Sequence, residues 1–214
     1  MPEPPATWHR EVLPEQWTRA AADLASRDAF EGCYLAGGTG LALHIGHRRS
    51  VDLDLFREVA FQSQEFRDRL AGLQGLRNVE LSSGTAYLEL HGVKVSVLHY
   101  PYPLLFSPGM FDGLAVADPR DIACMKLDAI GSRGARRDFV DLYVAAQACG
   151  LPAIFEWFAA KYAAAPYNRA HLLKALTYFV DAEQEPLPDM LVPLDWSTVV
   201  QYFIREVPRL ARLS

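Results

Sequence analysis

The sequence predicts an α+β protein: a mixed β-sheet with flanking helices over residues 1–117, followed by a C-terminal helical lobe over 118–214. Three observations lead there. Residues 33–56 carry an apolar strand, a glycine turn, a short helix and a second strand in succession. Residues 78–100 hold three alternating runs parted by Ser83-Gly84 and His91-Gly92, which read as hairpin turns. After residue 117 the alternation stops and helical spacing takes over.

In chain order, residues 1–13 are proline-rich and read as loose. Between Pro14 and Phe30, Trp17, Ala20, Ala21 and Leu24 recur at helical spacing, which predicts a first amphipathic helix. Tyr34-Leu35-Ala36 is a short strand ending in Gly37-Gly38-Thr39; Leu41 to Gly46 is helix-like, and His47-Arg48-Arg49-Ser50 a basic turn. Val51 to Phe56 alternates and forms a second strand. Residues 61–73 read as a surface helix. Asn78–Ser82, Thr85–His91 and Val93–Tyr100 are the hairpin strands, Pro101–Gly113 a loop rich in proline and aromatics, and Leu114–Val116 a short strand. Asp118-Pro119 starts a helix, with Asp at the cap and Pro at the first position, where no N–H is needed. Helices are predicted over 119–131, 136–149, 152–164, 168–182 and 197–211, punctuated at Gly150-Leu151-Pro152, Pro166 and Pro186-Leu187-Pro188.

The chemistry concentrates in residues 37–54. Strand side chains alternate faces, so Asp52 and Asp54 project together while Val51, Leu53 and Leu55 point the other way. Two carboxylates on an apolar strand are costly to bury unless a positive charge lies between them. Mg²⁺ fits, because it binds through one or two carboxylates plus substrate phosphates. A solvated edge strand is the bland alternative. Gly37 and Gly38 allow a sharp turn and close approach, Thr39 can cap the helix that follows, and a helix N-terminus favours a phosphate. A phosphate cradle joined by one short helix to a metal-binding Asp pair suits phosphoryl or nucleotidyl transfer.

The string Gly37-Gly38-Thr39, twelve residues, then Asp52-Leu53-Asp54-Leu55-Phe56 resembles the signature of polymerase-β-type nucleotidyltransferases. The fuller run 37–56 is similar to the AbiEii group, toxins of bacterial abortive-infection and toxin–antitoxin systems. A second block, Lys126 to Tyr143, resembles that group's lysine motif and its Arg137-Asp138-x-x-Asp141-Leu142 motif. The resemblance implies a nucleotidyltransferase core over 1–117 that carries catalytic Asp52 and Asp54, with catalytic Lys126 and Asp138 supplied by the helical lobe. Asp52 and Asp54 would hold Mg²⁺ or Mn²⁺, and Gly37, Gly38, Thr39, Arg48 and Ser50 would bind the nucleotide. It further implies an NTP substrate, an RNA (such as tRNA) or protein acceptor, and a cognate antitoxin. Lys126 could instead snorkel to solvent, and Asp138 and Asp141 could simply pair with Arg133 or Arg137. One position departs from the superfamily pattern: Ser96 stands where a third carboxylate is common, and a serine is no ionised base at neutral pH.

Composition narrows the classes. Half of the 214 residues are apolar and 22% charged, enough to build a proper core. A formal charge of −5 argues against a protein that coats nucleic acid and favours a small or locally gripped acceptor. Cys33, Cys124 and Cys149 are scattered in apolar contexts, which predicts reduced core thiols, and no run approaches a membrane span. The expectation is a soluble, cytoplasmic protein with no membrane partner. Two rival readings remain: a catalytically degenerate nucleotide- or partner-binding protein, motivated by Ser96, and an antibiotic-modifying nucleotidyltransferase. His44-Ile45-Gly46-His47 spells the signature of class I aminoacyl-tRNA synthetases without the partner lysine loop, and Gly37–Gly40 is no P-loop, since no Gly-Lys-Ser/Thr follows.

Overall fold

The computed structural model describes residues 8–212, the side chain of Asp28 excepted. Among these residues seven strands form one mixed sheet: β1 (Cys33–Leu35), β2 (Leu53–Arg57), β3 (Leu76–Ser82), β4 (Thr85–Leu90), β5 (Val93–His99), β6 (Gly109–Phe111) and β7 (Leu114–Val116). Their order is β3-β4-β5-β2-β1-β7-β6. Strand β2 runs parallel to β5 and antiparallel to β1, so it is paired on both sides. That excludes the edge-strand reading of Asp52 and Asp54. The strand begins at Leu53, later than the alternation predicted, so Asp52 sits just ahead of it.

Alternation decides which face of the sheet is dry. Leu53 and Leu55 pack with Ala86, Leu88, Val95 and Val97 into one core, joined by Trp17 and Leu24 of α1 (Trp17–Ala25). Each buried leucine or valine contributes roughly 1.5–3 kcal/mol by leaving water. The opposite face carries Asp54, Phe56, Ser96 and Leu98. The hairpin signals hold: Gly84 and Gly92 have φ of +70° and +83°, values that favour glycine.

Helix α2 (Gly37–Ile45) starts four residues earlier than its apolar run, so the glycines form its first turn. Helix α3 (Ser63–Arg69) is shorter than expected. Helix α4 (Pro119–Ser132) begins as the sequence predicts, with the Asp118 carboxylate accepting from the Arg120 N–H at 2.9 Å. Helix α5 (Arg136–Lys161) continues through the expected punctuation, although Gly150 (φ 79°, ψ 151°) breaks its helical path. By length and composition α5 could cross a membrane, yet Phe139, Leu142, Ile154 and Phe158 are buried in a second core with Phe203 of α7 (Trp196–Ala211). Helix α6 (Arg169–Ala175) stops well before residue 182.

Two segments expected to be irregular are built in. Residues 1–7 of the loose N-terminal stretch lie outside the described residues, but Val12 is fully buried and its carbonyl accepts from the Ser50 N–H. The 101–113 loop hides β6, a strand too short to show alternation, which pairs antiparallel with β7. Between the two cores, Tyr34, Ala36, Leu41, Ala117, Ile122 and Met125 form a third cluster that seats α4 against the Asp54 face of the sheet. Buried Lys161 reinforces this seam, donating to Asp121 at 2.8 Å and to the Pro103 carbonyl at 2.7 Å.

Candidate active site

A cleft of about 830 Å³ opens between the sheet and the helical residues. Its floor follows from period two. Asp54 lies opposite Ser96 in the β2–β5 register, and the Ser96 hydroxyl donates to Asp54 Oδ1. Asp52 and Asp54 are both half-buried and both line the cleft. Among the described residues neither forms an ion pair. Gly37, at φ +62°, faces Asp54: a Cβ there would lie 2.8 Å from Asp54 Oδ2. A side chain at position 37 would therefore fill the space beside the carboxylate. Two adjacent carboxylates without a protein cation, backed by a glycine, fit a hard divalent ion completed by substrate oxygens. No group of three or more His, Cys, Asp or Glu residues suited to a metal exists among the described residues, so an all-protein cage is not on offer.

Facing the floor is a cluster of cations whose geometry is set from behind. Asp141 is fully buried and takes a two-pronged bond from Arg48, Nε to Oδ1 at 2.7 Å and Nη2 to Oδ2 at 2.9 Å. His47 Nε2 also meets Asp141 Oδ1 at 2.9 Å, and Lys126 Nζ lies 2.7 Å from Oδ2. Lys126 donates as well to Asp138 Oδ1 at 2.9 Å, and Arg133 Nε to Asp138 Oδ2 at 2.9 Å. Burial alone would raise both carboxyl pKa values. The adjacent Lys126 with Arg48 and His47 at Asp141, and with Arg133 at Asp138, outweighs burial and holds both below the usual carboxylate range. Arg48 is held above its ordinary value because the attraction of Asp141 outweighs the larger single effect of desolvation.

The expected site residues separate on this geometry. Gly37, Gly38, Arg48, Ser50, Asp52, Asp54, Lys126 and Asp138 all line one cleft. Thr39 does not: it is buried in the third position of α2, and its hydroxyl lies 2.5 Å from the Asp52 carbonyl and 2.7 Å from Ser50 Oγ. It caps nothing; it ties the start of α2 to the approach of β2. Asp138 lines the cleft with both oxygens accepting from cations, Lys126 on one and Arg133 on the other, so it orients those two side chains. Lys126 is buried and paired, which excludes the snorkelling alternative. Gly38 has a specific steric role, since a Cβ there would lie 2.0 Å from Arg48 Nη2.

Sequence reasoning missed His47 and undervalued Asp141, the hub that fixes Arg48 and Lys126. It also missed the wall made by Glu185 to Asp189. That strap is bound to the basic turn by Arg49 N–H to the Asp189 carbonyl at 2.8 Å and Leu191 N–H to the His47 carbonyl at 2.9 Å. The proline punctuation at 186–188 was its only signal.

Comparisons with known proteins bear on the family and the fold. A family model for the nucleotidyl transferase AbiEii toxin of type IV toxin–antitoxin systems matches residues 19–85 and 95–212. An uncharacterised protein of Aquifex aeolicus is 36% identical over 180 residues, spanning 81% of this chain and 85% of its own. Among solved structures, MenT4, a nucleotidyltransferase toxin of Mycobacterium tuberculosis, shares the fold with a TM-score of 0.56 at 16% identity, over 91% of this chain and 86% of its own. A candidate nucleotidyltransferase of Helicobacter pylori gives 0.50 at 16% identity over 96% of each chain. With most of its length matched by the family model and its motif residues gathered around one cleft, the chain belongs to the AbiEii nucleotidyltransferase toxin family.

Proposed function

We propose that this chain transfers a nucleoside monophosphate from an NTP to an acceptor hydroxyl on RNA, such as a tRNA end, or on protein, with pyrophosphate released. Its role would be that of the toxin of a toxin–antitoxin pair, restrained by a cognate antitoxin in the cytoplasm. The observation that carries this reading is the unpaired Asp52 and Asp54 facing the fixed Arg48, Lys126 and Arg133 across one cleft.

Asp52 and Asp54 would hold Mg²⁺ or Mn²⁺, which when bound offsets triphosphate charge and acidifies an acceptor hydroxyl. Arg48 uses three of its five N–H donors on Asp141 and the Arg49 carbonyl, which leaves two for phosphate oxygens. Lys126 uses two of three in the same way. Both cations are held in place before substrate arrives, so little reorganisation is needed as negative charge develops. Gly37 and Gly38 keep the first turn of α2 open to phosphate.

The test is transfer from each α-labelled NTP into total cellular RNA and protein with Mg²⁺, wild type against Asp54→Ala. Label that moves only with the wild type supports the assignment; label retained by Asp54→Ala removes the Asp pair from the chemistry. A second reading, nucleotide binding without turnover, is favoured by the hydroxyl of Ser96 beside Asp54 where a third carboxylate would sit. Tight Mg²⁺-dependent NTP binding with no product in a single turnover would select it.

A further inference from the structure

The cleft extends past the charged cluster. Two residues beyond Asp54 on the same face of β2 comes Phe56, about 7 Å further along, and Leu98 lies opposite it on β5. Tyr100 meets Phe56 edge-on with ring centres 5.4 Å apart, and Tyr34 stacks behind Phe56 at 6.0 Å. The Tyr100 hydroxyl bonds to that of Tyr162, which anchors this wall in the helical core. Across the gap, Met125 and Asp128 project from α4, three residues apart and hence on one face. Asp128 has no hydrogen bond or ion pair among the described residues.

We propose that this apolar end is a nucleobase slot in which Phe56, Tyr100 and Met125 contact the base faces and Asp128 reads the base edge as a hydrogen-bond acceptor. The slot therefore takes bases that present an amino group, adenine, cytosine or guanine, over uracil. A carboxylate only accepts. The pairing edge of uracil sets two carbonyls around a single N–H, so it brings acceptor against acceptor, whereas an amino group supplies the missing donor. Partial desolvation in the cleft raises the Asp128 pKa, as befits a carboxylate that lacks a partner. The proposal rests on the nucleotide-cleft reading above, placing the triphosphate at Arg48 and Lys126 and the base two strand positions away.

The experiment measures equilibrium affinity for ATP, CTP, GTP, UTP and inorganic tripolyphosphate, all with Mg²⁺, by calorimetry. Tripolyphosphate has no base and is the reference against which each nucleotide is read. For the wild type, UTP should bind about tenfold or more weakly than the other three, the scale of one hydrogen bond to a charged group. In Asp128→Asn, whose amide both donates and accepts, the UTP deficit should shrink to about twofold. In Phe56→Leu all four nucleotides should weaken by about tenfold relative to tripolyphosphate. Four equal nucleotide affinities in the wild type, or an undiminished UTP deficit in Asp128→Asn, would overturn the role of Asp128. If every nucleotide binds no better than tripolyphosphate, the slot is wrong while the phosphate site stands. If neither nucleotides nor tripolyphosphate bind, the nucleotide-cleft reading fails and takes the slot with it.

Discussion

Two pairs of aspartates serve the cleft, Asp52 and Asp54 on its floor and Asp138 and Asp141 among and behind its cations, and their surroundings differ. Asp52 and Asp54 are half-buried, lie on or beside a sheet strand, and have no ion pair among the described residues. Asp138 and Asp141 are fully buried on α5 and hold three cations between them, Lys126, Arg48 and Arg133. A carboxylate saturated by the protein's own cations can position them; one left unpaired at a cleft is available to something that arrives from outside. The chain thus separates the work of fixing charge from the work of receiving it.

The sharpest way to break this contrast is to remove the hub. Asp141→Ala strands Arg48 and Lys126 in the interior, and the loss of one partner of a buried ion pair costs roughly 3–5 kcal/mol. Chemical denaturation should show a fall of that size, together with loss of nucleotide affinity as Arg48 leaves Gly38. If stability changed by under about 1 kcal/mol, Asp141 would not be the anchor its contacts imply. On the other side of the cleft the effect should reverse in kind. Asp54→Asn should lower the rate of transfer by about a hundred- to a thousandfold, since several kcal/mol of charge stabilisation go with a metal ligand. Its thermal midpoint should remain within a few degrees of wild type, because no buried cation loses a partner. A large drop in stability with activity intact would invert the assignment of the two pairs.

The pairs also predict a pH response. Asp138 and Asp141 have folded pKa values below their unfolded ones, so their contribution to stability is fully present above about pH 5 and is lost as pH falls below about 4 through the folded values. Denaturation midpoints from pH 7 to 2.5 should fall steeply only at the acid end. In Asp141→Asn that acid-end slope should be shallower, and an unchanged slope would assign the acid sensitivity to other carboxylates.

What the sequence revealed and what it hid follow the same divide. Asp52, Asp54 and the Asp118-Pro119 cap are local facts, set by strand alternation and by the needs of a helix start. The roles of His47 and Asp141 depend on partners more than ninety residues apart, while Thr39 and Asp138 find theirs within 13 residues but in a geometry only the folded chain sets. Spacing placed Asp138 and Asp141 on one helix face, but that Arg48, ninety-three residues away, would close on Asp141 is a property of packing. Thr39 looked like a cap because caps are the commonest use of such a residue, whereas its hydroxyl is taken by the carbonyl of Asp52 across the turn. Lys126 was recognised by its motif, although burial with two carboxylates, invisible in the sequence, is what fixes its position.

The smallest expected effect tests whether exposure alone downgrades a charge pair. Arg49 Nη1 and Asp189 Oδ2 are 3.1 Å apart, not far beyond the 2.7 to 2.9 Å of the buried pairs, yet both side chains are more than half exposed. Solvent screening and the entropy of holding two long side chains leave such pairs about 0–1 kcal/mol. The strap does not depend on it: the Arg49 N–H bond to the Asp189 carbonyl and the Leu191 N–H bond to the His47 carbonyl survive removal of the side chain. Arg49→Ala should therefore shift unfolding free energy by no more than about 0.5 kcal/mol, and hydrogen exchange at the amides of Arg49 and Leu191 should remain slow. If those amides became labile, the side-chain pair rather than the backbone would be what closes the cleft wall. Charge at this rim would then matter as much as charge in the interior.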